Sequence, residues 1–298
     1  MEKAKKIILL FGARGMLGQA LAKRLSQKYK IIALEHSKCD VADFKQVARM
    51  FSHYQPWLAL NAAALTNVDA CEDNPKKARA VNARGAYNIA KAAGKYNSIV
   101  VQISTDYVFS GGKDRPYQEN NPAHPVNIYG KTKLEGEIML RKTLKKHVII
   151  RTSWLFGEGK DNFINHILER SQKEAVLRIA DDKYSSPTYT LDLAQAIVKI
   201  INLINDSGCP DSFYGTYHIS NSGYCSWYEY AKVILRAAKV NQVKLEPIKM
   251  SQINFQAKRP VFSALDNTKY SRLTGKPLRR WQEAVKEYIV SDKKVSET

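Results

Sequence analysis

Apolar runs and helix-spaced apolar positions take turns along the first half of the chain. Lys6 to Phe11 reads as a buried strand, and Ala20, Leu21 and Leu25 then recur at the spacing of one helix face. The runs Lys30 to Leu34, Trp57 to Asn61, Ile99 to Ile103 and His147 to Thr152 repeat the strand signal, each followed by a more polar stretch. Cys39 to Asp43 opens a second helix, with Asp40 or Asp43 as its cap. Asn74 is predicted to cap a third with Pro75 at its first position, running through Ala78, Val81, Ile89 and Ala93. Strands alternating with helices predict an α/β fold whose parallel sheet is covered on both faces.

Beyond about residue 155 the alternation loosens. Helices are predicted over Asn162 to Lys173, Leu191 to Ile204 and Trp227 to Ala238, the last with Ser226 and Glu229 as a capping box. Tyr217 to Ser220 reads as a strand. Gly275 and Pro277 end a short helix, Trp281 to Val290 forms another, and the polar tail after Ser291 is expected to fray. No internal repeat and no low-complexity segment is present.

Gly12-x2-Gly15-x2-Gly18 stands between the first strand and the first helix. In that context the first glycine allows a tight turn. The second lets backbone approach a pyrophosphate at a helix N-terminus, and the third allows close helix packing, so dinucleotide binding is expected. Glu35, at the end of the second strand, is placed for the adenosine ribose hydroxyls and Asp40 for the adenine amino group. Arg14 and Lys38 are equally placed to meet a 2′-phosphate, which leaves NADH and NADPH both open. Ala62, Ala63 and Ala64 offer small side chains where a flat cofactor would lie.

Ser104-Thr105-Asp106 closes the Ile99 run, and Tyr129 and Lys133 follow at a spacing of four, which puts phenol and ammonium on one helix face. A free Tyr titrates near pKa ~10, and a neighbouring cation lowers that value, so the trio reads as a proton-relay site for carbonyl chemistry. Tyr87 with Lys91 and Tyr228 with Lys232 share the spacing but lack the strand and corner leading into it.

The 298 residues are 44% hydrophobic and 25% charged, enough for a large core in one or two domains. The N-terminal apolar run is too short for a secretory h-region or a membrane span, so a cytoplasmic protein is expected. Cysteines 39, 71, 209 and 225 are widely separated, and no metal site is legible. The net charge of +19 raises nucleic-acid binding as an alternative. The basic residues are scattered, however, with modest clusters at 141–146 and 276–286 and no recognition motif. A solvated basic surface, or a positive cleft for a nucleotide diphosphate, fits that scatter better. Neither a nucleic-acid nor a membrane partner is expected, and a homodimer is compatible with the sequence.

Taken with Asn61-Ala62-Ala63 and Ser104-Thr105-Asp106-Tyr107-Val108-Phe109, the glycine turn and the segment Tyr129 to Lys133 resemble the extended short-chain dehydrogenase/reductases. Among these the likeness is to the dTDP-4-dehydrorhamnose reductases. It runs nearly end to end, through Arg151 to Trp154, Tyr184 to Thr188, Trp227 to Ala231 and Arg259-Pro260. The resemblance implies a Rossmann-type doubly wound parallel sheet, residues 1–155 with parts of 187–220, and a smaller C-terminal substrate-binding domain in the remainder of 156–298. It also implies NADPH or NADH as cofactor and reduction of the C4 ketone of dTDP-4-dehydro-L-rhamnose to dTDP-L-rhamnose for cell-envelope polysaccharide.

In that likeness Tyr129 protonates the alkoxide and Thr105 orients the carbonyl. Lys133 lowers the Tyr129 pKa and holds the nicotinamide ribose, while Asp106 and Trp154 face the sugar and Arg259 meets the diphosphate. Gly12, Gly15, Met16, Leu17, Gly18, Glu35, Asp40, Val41, Ala62, Ala63 and Ala64 match cofactor contacts. Two rivals share much of the pattern: a reductase of another nucleotide 4-keto-6-deoxy sugar, and a non-catalytic subunit resembling the regulatory subunit of methionine adenosyltransferase.

Overall fold

The computed structural model describes residues 5–208 and 211–296. Its first half runs β1 (Ile7–Phe11), α1 (Met16–Leu25), β2 (Lys30–Leu34), α2 (Phe44–Tyr54), β3 (Leu58–Asn61), α3 (Val68–Asp73), α4 (Pro75–Arg79), a π turn (Ala80–Arg84) and α5 (Gly85–Lys95). Then come β4 (Ile99–Thr105), α6 (Ile128–Thr143), β5 (His147–Thr152), β6 (Leu155–Phe156), α7 (Phe163–Lys173), β7 (Val176–Ala180), β8 (Tyr184–Ser185), β9 (Thr188–Tyr189) and α8 (Thr190–Asp206). The chain ends with β10 (Gly215–His218), β11 (Cys225–Ser226), α9 (Trp227–Ala238), β12 (Lys244–Ile248), α10 (Thr268–Thr274) and α11 (Trp281–Ser296).

Six strands pair in the order β10-β5-β4-β3-β1-β2, and every pair in this sheet is parallel. Winding reverses between β1 and β3, which opens a crevice at their carboxyl ends. Alternation along β1 fills both faces of this Rossmann-type sheet: Ile8 and Leu10 pack with Leu17 and Leu21 of α1 and Ile197 and Ile201 of α8, while Leu9 and Phe11 pack with Val47 and Phe51 of α2 and Ile89 of α5. A second core gathers Ile164 and Ile167 of α7, Leu177 of β7, Ile234 of α9 and Val285 of α11. There β7 pairs with β12 in parallel.

Local chemistry sets the helix ends. Asp43, not Asp40, caps α2, accepting from Lys45 N at 2.8 Å. Ser226 and Glu229 close the expected capping box on α9. Gly275 ends α10 in the left-handed region at φ 82°.

Several details differ from the sequence expectation. Asn67 caps a short extra helix, α3, and the helix predicted from Pro75 carries the π turn in its middle. β10 lies two residues earlier than Tyr217 to Ser220. α11 continues to Ser296, past the point where fraying was expected. Cys39, Cys71 and Cys225 are buried free thiols, and Cys209 lies outside the described residues. Among the described residues no helix is long and apolar enough to cross a membrane.

Candidate active site

The glycine turn shows which of its positions serve packing and which serves approach. A Cβ on Gly12, whose φ is 77°, would stand 2.6 Å from Ala63 N, and one on Gly18 would stand 2.2 Å from Gly12 O. Gly15 has an ordinary φ of −72°, and a Cβ there would meet nothing nearer than Gly12 O at 3.4 Å. Gly12 and Gly18 are therefore demanded by the protein's own backbone, while Gly15 leaves open space. No side chain caps α1 at Gly15, so the N–H groups of its first turn are free for an anion. Residues that clear room for a pyrophosphate and supply its donors fit a bound dinucleotide.

A cleft of about 390 Å³ opens beside this turn. Gly15, Met16, Leu17, Gly18, Ala62 and Ala64 line one side, Thr105, Asp106, Tyr129 and Lys133 the base, and Trp154, Ser185 and Trp227 the far side. The Tyr87/Lys91 and Tyr228/Lys232 pairs lie away from the cleft, each lysine resting over its own tyrosine ring.

Thr105 and Tyr129 meet because helix α6 presses on the turn after β4. A Cβ on Gly130 would lie 2.1 Å from Tyr107 O, so only glycine lets the two elements come this close. Asn127 caps the helix, accepting from Gly130 N at 2.8 Å, and donates to Lys258 O at 2.8 Å, which ties the helix start to the C-terminal segment. Desolvation pushes the Tyr129 phenol above its ordinary pKa, and the neighbouring Thr105 hydroxyl opposes that rise. The one proton of that hydroxyl goes to Asp106 Oδ1 at 3.1 Å, and its oxygen accepts from Tyr107 N at 3.1 Å.

Lys133 corrects the sequence expectation about its effect on Tyr129. The residue is 4% exposed, and its ammonium donates to Ile103 O at 2.6 Å. Burial lowers its pKa to about 8, with Glu137 pulling the other way. The phenol's pKa is raised, not lowered, and Thr105 is the neighbour that restrains it. Beneath the site, Glu137 holds Arg151 through bonds of 2.9 and 2.7 Å and accepts from Ser104, a buried frame for the ends of β4 and β5.

Trp154 occupies the left-handed region at φ 45°, a costly conformation for a bulky residue, and is fixed there by Tyr230, Phe163 and Trp227 at ring distances of 4.6, 5.1 and 5.9 Å. Asp106 is buried and its carboxyl is pushed up by desolvation. Its Oδ2 has no hydrogen-bond partner.

Six expected residues lie outside the cleft lining, and two of them, Gly12 and Ala63, meet behind it, with Ala63 N donating to Asn61 Oδ1 at 3.1 Å. Glu35 ends β2 outside the cleft lining, paired with Arg14 at 3.3 Å and Lys38 at 3.8 Å. Asp40 accepts from Ala42 N at 2.9 Å, and Val41 packs under Gly85. Arg259 is held by both carboxylate oxygens of Asp69, at 2.8 and 2.6 Å, and lies over Phe255, so its fork is engaged within the protein and does not face the cleft.

Two residues that the sequence did not single out belong to the surroundings of the cleft. Asn82, in the π turn, accepts from Leu65 N at 2.9 Å and donates to Leu65 O at 3.1 Å, fixing the loop that carries Ala64 and Thr66. Lys183 is buried beside Ser185 and Ser263. A π turn often marks a functional site, but no side-chain pattern announces one in advance.

The family model described as RmlD substrate binding domain matches residues 5–293. The chain belongs to the RmlD family. Among its relatives is the spore coat polysaccharide biosynthesis protein SpsK of Bacillus subtilis, 40% identical over 95% of this chain and 96% of that one. A dTDP-4-dehydrorhamnose reductase of Aggregatibacter actinomycetemcomitans is 36% identical over 94% of this chain and 97% of its own length. The dTDP-4-dehydrorhamnose reductase of Bacillus anthracis, solved in complex with NADP, is 33% identical and superposes with a TM-score of 0.89 over 96% of this chain and 99% of the other. The extended short-chain dehydrogenase/reductase resemblance drawn from the motifs thus holds for the RmlD family chain along nearly its whole length.

Proposed function

We propose that this protein is an NAD(P)H-dependent oxidoreductase that reduces the C4 ketone of dTDP-4-dehydro-L-rhamnose to dTDP-L-rhamnose for polysaccharide biosynthesis. The observation that carries the reading is the meeting of Thr105, Tyr129 and Lys133 at the base of a cleft whose side is the open Gly15 turn. The names of relatives at 36% and 33% identity support the sugar nucleotide as substrate. SpsK, at 40%, bears a name that specifies polysaccharide biosynthesis without the sugar.

The first turn of α1 and the backbone at Ala62 to Ala64 hold the dinucleotide, whose reduced nicotinamide supplies hydride. Tyr129, kept protonated by its raised pKa, gives its proton to the oxygen of the reacting carbonyl. Thr105, turning its one proton from Asp106 Oδ1, donates to the same oxygen and orients it. Lys133, anchored on Ile103 O, has further donors for the nicotinamide ribose. Trp154 packs the sugar, Asp106 accepts one of its hydroxyls, and Lys160, exposed at the rim, replaces Arg259 as the cation for the diphosphate.

Incubation with dTDP-4-dehydrorhamnose and each reduced nicotinamide tests this directly. Loss of the nicotinamide absorbance with formation of dTDP-L-rhamnose is expected. Tyr129→Phe should lower turnover by about 10² or more while cofactor affinity is kept. No absorbance loss with either nicotinamide would contradict the reading and favour a binding subunit.

A further inference from the structure

A second concavity, of about 790 Å³, shares no lining residue with the cleft. Three segments wall it: the loop after β4 that carries Lys113 and Arg115, the turn before β11 that carries Tyr224, and the stretch through α10 that carries Arg272 and Lys276. The walls are tied together by the protein's own hydrogen bonds. Tyr117 N donates to Ala264 O and Asp266 N to Tyr117 O, each at 2.8 Å, while Asn267 accepts from Ser220 N at 3.1 Å and donates to Ser220 O at 3.0 Å. A preformed hollow of this volume suits a small-molecule ligand.

Charge narrows the ligand's chemistry. Lys113, Arg115, Arg272 and Lys276 line the hollow against one carboxylate, Asp266, whose oxygens already accept from Thr268 N at 2.7 Å and Gln118 Nε2 at 3.4 Å. Among the described residues the side chains of Arg115, Arg272 and Lys276 have no ion-pair or hydrogen-bond partner. Lys113 meets only uncharged groups, Asn121 Oδ1 at 2.7 Å and the Tyr117 ring. On other faces Arg79, Arg170 and Arg279 each grip a carboxylate. Unpaired cations gathered in one hollow focus a positive field that an anion relieves. Tyr224 stands beside them 45% exposed, its ring braced by Phe262 at 5.2 Å and Tyr184 at 6.5 Å. An exposed ring held in place is a platform for a flat base.

We propose that this hollow is a second ligand site that takes a nucleoside diphosphate, with the diphosphate among Arg115, Arg272 and Lys276 and the base on Tyr224. Guanidinium forks match phosphate oxygens in pairs, and the lysine adds a point charge. Lys276 begins the basic cluster at 276–286, none of which lines the cleft. The site does not depend on the reductase reading.

Calorimetric titration of the full-length protein with dTDP, and separately with inorganic pyrophosphate, tests the assignment. In the double variant Arg272→Gln/Lys276→Gln, a dTDP site should weaken about tenfold or more, as for loss of charge-assisted bonds. Pyrophosphate binding should weaken with it, and NADPH affinity should stay within about twofold. Tyr224→Ala should weaken dTDP about tenfold, the scale of one lost base stack, and leave pyrophosphate unchanged. These side chains are exposed, so the variants should melt as the wild type does. A dTDP isotherm unchanged in both variants overturns the proposal and leaves the reductase reading intact. A charge variant that loses dTDP and pyrophosphate alike, with no response to Tyr224→Ala, reveals a general anion site and overturns the nucleotide assignment. A wild type that shows the expected dTDP losses yet reduces no sugar overturns the reductase reading alone.

Discussion

Two lysines are held out of water, and one of them, Lys133, stands at the base of the cleft, where its titration sets where the site works. Lys133 is lowered by burial to about 8, and Lys183 also to about 8. The profile of kcat/KM against pH reports the free enzyme's groups. Since Lys133 acts as a cation, kcat/KM for the sugar nucleotide should hold up to about pH 8 and fall above it, before Tyr129 begins to ionise. A profile level to about pH 10 would contradict that role. The pair also shows what is legible residue by residue. Lys133 declares itself because Tyr129 lies one helical turn away, a relation that periodicity fixes. Lys183 stands among Asp181, Asp182 and Tyr184 in sequence, where it reads as a solvated charge, and its partner Ser263 belongs to a distant segment. Arg259 and Glu35 show the opposite case: each looked free in sequence, and each has a partner, Asp69 or Arg14, that is visible only in space.

Elements were most legible where burial and capping act locally. β2 and β5 match their predicted spans, as does α9 with its capping box, because continuous apolar runs and a Ser-x2-Glu signal leave little choice. The two-residue strands β6, β8, β9 and β11 have no periodicity to read, and β12 carries Pro247, which argues against a strand. The π turn escaped notice for a related reason: its residues have ordinary helix composition, and what it accomplishes is to present Asn82 to Leu65 and Thr132. Replacing Asn82 by Ala leaves the half-buried N–H of Leu65 without its partner and the Leu65 carbonyl with only the Cys71 thiol. Nicotinamide binding should weaken about tenfold, with the Tyr129-dependent step unaffected once cofactor saturates. Titration of Asn82→Ala showing wild-type affinity would remove the clamp from the account of the site.

For the molecule as a whole, the α/β class and parallel sheet follow from alternation alone, while the completion of that sheet does not. β10 joins β5 only after the chain has built α7, β7 and α8, and α8 covers the same face of the sheet as α1. A chain cut after Ser153 should therefore be insoluble or fail to show a cooperative melt, because Ile8, Leu10, Val148 and Ile150 lose α8 from their cover on that side. A soluble, cooperatively melting fragment would disprove this dependence. The clasp of Asp69 on Arg259, with Gln256 bonded to Asp73 at 2.6 Å, likewise ties the first half to a segment made late. During synthesis the emerging polypeptide must wait with one side of its central layer covered by α1 alone until the residues up to His218 have left the ribosome tunnel. The cell's exposure to aggregation of this protein is thus greatest in that interval, and a slow codon tract placed there would be felt more keenly than one near the start.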